Sequence, residues 1–138
     1  MATTFLALVL GHMVADYMLQ TKKMALTKSQ PGFTGLLWCT VHCLVYTLCV
    51  CAFVGSLNLA FAGLVFASHF PVDRYSLASK WLKMVGSRDF MAAYASCEKY
   101  HEVDLAFSCL VYAVCDNTMH LVALWFLVKY AGHMLGLY

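Results

Sequence analysis

At 138 residues the chain has room for one compact unit and no second domain. Only 12% of its residues are charged and 62% are hydrophobic, with a mean hydropathy of +0.72. Soluble domains carry about a quarter charged residues, so this composition excludes a water-soluble globule and points to the lipid bilayer as the solvent. The net charge of +2 is too small for a nucleic-acid-binding surface.

A helix that crosses a bilayer needs roughly 20 mostly apolar residues, and four stretches meet that need. The first covers residues 2–20. It sits where a signal peptide would, but no basic residue precedes its apolar run and it carries His12 and Asp16, so a retained helix is expected. The connection 21–33 holds Lys22, Lys23, Lys28 and the Pro31-Gly32 breaker pair. The second stretch, 34–55, contains LLWCTVHCLVYTLCVCAFVG and no formal charge. After a tight turn, the third runs over 57–75 and ends in HFPVDR. Pro71 removes one helical hydrogen bond and clashes with the Ala67 carbonyl. It should either kink the helix, turning His69 and Asp73 inward, or end it early.

The segment 76–104 is the one sizeable polar connection. Its opening, SLASKWLKMVG, places Leu77, Trp81, Met84 and Val85 on one side and Ser79, Lys80 and Lys83 on the other. That pattern suits a helix lying in the membrane interface, or more sharply a lid over a site. The fourth stretch, 105–130, contains Asp116 and His120. The expected fold is therefore an all-α membrane protein: four transmembrane helices in one bundle filling residues 1–138. Seven cysteines are present. Cys39, Cys43, Cys49, Cys51, Cys109 and Cys115 lie in apolar runs and read as small packing residues. Cys97 falls in the polar loop and should stay reduced in the cytosol.

Eight of the nine basic residues fall in the two connections 21–33 and 74–104; Lys129 is the exception. Basic loops stay cytoplasmic, which places both termini outside a cytoplasmic (inner) membrane.

Polar residues inside the spans carry the functional information. An unpaired Asp at a helix centre costs about 2.5–3.5 kcal/mol. Asp16, Asp73 and Asp116 must therefore be paired, protonated or bound to a cation. Each has a histidine four residues away: His12 with Asp16, His69 with Asp73, and Asp116 with His120. Residues four apart share a helix face, so each pair offers an imidazole and a carboxylate to one point. His42 is the natural fourth contributor. At 1.5 Å per residue, the first three helices place these groups at one level; the fourth agrees if its membrane portion starts nearer Ser108. Gly11-His12-Met13-Val14-Ala15-Asp16 also resembles Ser68-His69-Phe70-Pro71-Val72-Asp73. Two repeated helical hairpins about a pseudo-two-fold would gather all these side chains.

Imidazole with carboxylate suits a divalent ion, zinc or manganese first. The expected ligands are His12, Asp16, His42, His69, Asp73, Asp116 and His120, with Asp16, Asp73 and Asp116 as candidates for the catalytic acid–base role. A metal-bound water would attack a lipid or phosphoester, and an unligated Asp would serve as general base. Against this stand hydrogen-bonded glue between helices, and a relay of protons or metal ions. Gln20 continues the His12/Asp16 stripe. Trp38 and Tyr46 share a face with His42 and read as packing. His101, in the loop, and His133, past the last helix, are left out of the site. A bundle this small has little interior, so a homo-oligomer is expected.

GHMVADYMLQTKKMALTK, VHCLVYTL, HFPVDRYSLASKWL and Asp116-Asn117-x-x-His120 together resemble a family of small bacterial and phage membrane proteins known as domain of unknown function 3307. That family usually has Gln where Asn117 stands. The resemblance implies the motif residues His12, Asp16, Gln20, Lys28, His42, His69, Asp73, Asp116 and His120, which adds Lys28 to the lining of the site. It implies no activity. A phage protein of this kind would also be expected to act on a host membrane partner without catalysis.

Overall fold

The computed structural model describes residues 2–86, 88–96 and 99–137. It is all-helical among those residues. Helix α1 spans Ala2–Met13 and continues as a wider π-helical stretch, Val14–Leu19. Then follow α2 (Lys22–Thr27), α3 (Gly32–Val54), α4 (Leu59–Arg74), α5 (Leu77–Gly86), α6 (Phe90–Ala95) and α7 (His101–Ala131). Ala2–Leu19, Gly32–Val54 and His101–Ala131 are long and apolar enough to cross a membrane. At 16 residues, α4 is about 24 Å long, shorter than the hydrocarbon core of about 30 Å.

The long helices close a ring: α1 packs on α3, α3 on α4, α4 on α7, and α7 on α1. Inside it lies a core of Leu8, Ala15, Tyr46, Val50, Phe61, Val65, Leu124 and Val128. Its outer surface stays apolar, with Leu48 71% and Leu110 61% exposed. So greasy an exterior on long helices is what lipid tails would cover, and it makes this a membrane protein.

Local chemistry sets the helix ends. Pro31 precedes α3, where its missing N–H costs nothing. Gly55 closes α3 in the left-handed conformation with φ of 71°. The Asn58 side chain then accepts from the Ala60 and Phe61 amides and starts α4. Pro71 does not end α4, which runs on to Arg74. Two short helices, α2 and α6, occupy segments expected to be connections. A helix, α5, does form in the segment where an interfacial one was expected, and it exposes Trp81, Met84 and Val85. His101 is the first residue of α7 and not part of a loop. The six cysteines read as packing residues are all free thiols; Cys97 lies outside the described residues.

One close approach holds the α2–α3 connection. The Arg74 guanidinium donates to the Gln30 carbonyl at 2.6 Å and the Lys28 carbonyl at 3.3 Å. Gly35 lets that strap lie flat: a Cβ there would come within 1.9 Å of the Gln30 oxygen. Gly35→Ala should therefore destabilise the protein by about 2 kcal/mol or more, read as a lower unfolding temperature in detergent. At Gly63 a Cβ meets nothing within 4 Å, so Gly63→Ala should leave that temperature unchanged or raise it.

A second local device stands outside the bundle. Asp89 caps α6 through the Met91 and Ala92 amides and pairs with Lys83 at 2.8 Å. The Lys83 ammonium and these amides hold the Asp89 carboxyl below the usual carboxylate range. The charged cap is therefore complete above the ordinary pKa and is lost as pH falls through the depressed one. Hydrogen exchange at Met91 and Ala92 should be slow at neutral pH and quicken on strong acidification.

Candidate metal centre

The four ring helices stack their inward residues in matching layers. Leu8, Val50, Val65 and Leu124 form an apolar layer; one turn on, His12, Tyr46, His69 and His120 meet. A further turn brings Asp16, His42, Asp73 and Asp116 level. The fourth helix reaches this register because α7 begins at His101, about 22 Å before Asp116. Its first turns carry α5 and α6 instead of joining the ring.

The four histidines are at most 1% exposed, and Asp73 is 3% exposed. His42 Nε2, His69 Nε2 and Asp73 Oδ2 form a nearly equilateral triangle with sides of 3.0–3.1 Å. Asp16 Oδ1 lies 3.3 Å from His42 Nε2 and 3.8 Å from His69 Nε2. On the other side of Asp73, His120 Nε2 is 3.5 Å from Oδ1 and 3.8 Å from Asp116 Oδ2. The His69 ring stacks between Tyr46 at 3.6 Å and His120 at 3.9 Å, which fixes its tilt.

Three groupings can each hold a metal ion: His42 with His69 and Asp73; Asp73 with Asp116 and His120; and Asp16 with His69 and His120. The first is the tightest. Its two imidazoles and one carboxylate would hold a divalent ion and leave it coordination positions for a further ligand. The orphaned atoms fit a cation as well. Asp73 Oδ2 and Asp16 Oδ1 are buried without a hydrogen-bond partner although imidazole nitrogens lie beside them. Carboxylate oxygens at contact distance from nitrogens that do not donate to them lack a shared positive partner.

Asp73 Oδ1 does have one. The Lys28 ammonium reaches it at 2.7 Å from the end of α2. Thr21 caps α2 by accepting from the Met24 amide, and the Arg74 clamp fixes the Lys28 carbonyl, so two neighbours on α4 hold this corner. Gln20 lies with its amide nitrogen 3.1 Å from His42 Nε2. The π-helical stretch carries Asp16, and such widened turns recur at functional sites.

His12 lies in the cluster but in none of the metal-capable groups. Its Nε2 meets Asn117 Oδ1 at 2.7 Å, and its Nδ1 lies 3.2 Å from both the Tyr46 hydroxyl and Asp16 Oδ2. Asn117 in turn donates to the Ala113 carbonyl and the Tyr17 hydroxyl. Tyr46 and Asn117 thus belong to the polar cluster, which sequence reasoning missed for Tyr46 by treating it as packing. Its i+4 spacing from His42 was the available signal. Trp38 stays outside, under the Lys23 ammonium; His133 is exposed in the turn after α7.

These features define a helical membrane protein with a buried His/Asp cluster able to hold a metal ion. Over residues 4–135 the chain matches the family described as Protein of unknown function (DUF3307), and it belongs to that family. No curated protein and no solved structure matched it.

The Lys28–Asp73 contact can be tested by a double-mutant cycle. Lys28→Met should destabilise by about 3 kcal/mol, because it strips a buried carboxylate of its ammonium. Adding Asp73→Asn should recover part of that loss; strict additivity of the two changes would show that the pair carries no coupling.

Proposed function

We propose that the protein is a membrane-embedded, metal-dependent hydrolase of a lipid or another phosphoester. The observation that carries this reading is the triangle of His42 Nε2, His69 Nε2 and Asp73 Oδ2. Two imidazoles and one carboxylate, with positions left open, suit zinc, manganese or ferrous iron. A divalent ion held there would supply Lewis acidity toward a water and a phosphoryl oxygen. Asp16 is assigned the proton: its Oδ1 lies beside the triangle, 3.3 Å from His42 Nε2, and its side chain is less buried than that of Asp73. Lys28 balances the charge of Asp73 from outside, and His12, held by Asn117 and Tyr46, orients Asp16.

In the membrane, all four ring helices act as spans in one domain, with α4 reaching the interface through its flanking residues. The α1–α3 and α4–α7 pairs act as two related hairpins. The basic connections face the cytoplasm and both termini face outward, as the positive-inside rule requires.

Protein extracted in mild detergent should carry about one equivalent of a transition metal by elemental analysis. His42→Ala and His69→Ala should abolish that content, while His12→Ala keeps it. Asp16→Asn should keep the metal and lower phosphoester hydrolysis by about 100-fold. Metal-free protein whose His42→Ala and His69→Ala variants are as stable as the parent would overturn the proposal. For the orientation, single cysteines placed in 76–104 should react with an impermeant thiol reagent only after cell lysis. Cysteines near either terminus should react without it.

A further inference from the structure

A cavity of about 480 Å³ lies between α5, the turn before α6, and α7. It is separate from the metal-capable triangle and shares no residue with it. Leu82, Met91, Cys109 and Tyr112 give it an apolar wall; Lys80, Lys83 and Arg88 face it with Asp89 as the one acid among its lining residues. Lys83 is tied to Asp89 at 2.8 Å. The other two cations lie against aromatic rings, Lys80 over Tyr75 at 5.7 Å and Arg88 over Phe107 at 4.8 Å. Those contacts hold the side chains in place without neutralising them.

From this geometry we infer that the cavity binds one anionic phospholipid, its acyl portion against the apolar wall and its phosphate on Lys80 and Arg88. The volume is that of an ordinary small-ligand site. The neighbouring helix argues for the height of lipid headgroups. Helix α5, which forms one wall, exposes Trp81, Met84 and Val85 beside its lysines, the arrangement of a helix lying in the interface. An excess of basic groups at that height selects anionic over zwitterionic headgroups. A stripe along α7 then leads inward: Ser108 and Tyr112 line the cavity, and Asp116 and His120 follow on the same face into the polar cluster.

The test is native mass spectrometry of the full chain released from detergent with phosphatidylglycerol or phosphatidylcholine added. Phosphatidylglycerol should be retained by preference, about tenfold or more, as two basic contacts predict. Lys80→Gln with Arg88→Gln should erase the preference, and Cys109→Trp, which fills the cavity, should reduce retention of both lipids. Chelation of metal should leave retention unchanged, because the site is built from other residues. Equal retention of the two lipids, a preference that survives the double variant, or equal competition by glycerol phosphate would each overturn the inference. Loss of retention on chelation would overturn its separateness from the metal site.

Discussion

A carboxylate removed from water in the middle of four apolar helices needs polar partners, and Asp73 is met by one ammonium and three imidazoles. Lys28 reaches it from α2, His42 from α3, His69 from its own helix and His120 from α7. Each partner is itself held: His69 by stacking, Lys28 by the Arg74 clamp on its backbone. Burying an ion with too few partners costs several kcal/mol, so the helices are constrained to arrive at Asp73 in one register. The apolar core behind the cluster then adds packing on a frame that electrostatics has already specified.

The same constraint accounts for the uneven lengths of the elements. Helix α4 is short because it places His69 and Asp73 within its last two turns and Arg74 on the strap over α2. Helix α7 is long because its first turns carry α5 and α6, and only its later part meets the ring. The lipid-facing exterior and the polar interior therefore do opposite work. Dispersion and lipid exclusion keep the helices together, while a few hydrogen-bonded and charged groups choose which arrangement they take.

Much of the site could be read along the chain because its spacing is helical. His12 with Asp16, His69 with Asp73, and Asp116 with His120 are i, i+4 pairs, and all three pairs do turn inward. A helix imposes that geometry whatever surrounds it. What spacing does not carry is the contact between helices. Tyr46 looked like packing because a tyrosine on an apolar face usually is; its hydroxyl meets His12 through an approach of α1 and α3 made possible at Gly11. Asn117 looked like a departure from a motif, yet its side chain is what holds His12 Nε2. Short α2 and α6 have no hydrophobic period long enough to announce them, and they are fixed by Thr21 and Asp89 caps and by tertiary contact.

The sequence by itself determined the apolar character, the helical class, the three helices long and apolar enough to cross a membrane, and the residues too polar to be left alone among them. Those follow from composition and from local periodicity, which the chain carries with it. Only the tertiary structure decided which atoms meet. It set His42, His69 and Asp73 into a triangle and put Asp16 beside it. It also withdrew His12 into hydrogen bonds and placed Lys28 on the far oxygen of Asp73. Such convergence depends on how four helices rotate and slide against one another, and those degrees of freedom are set by the whole bundle at once.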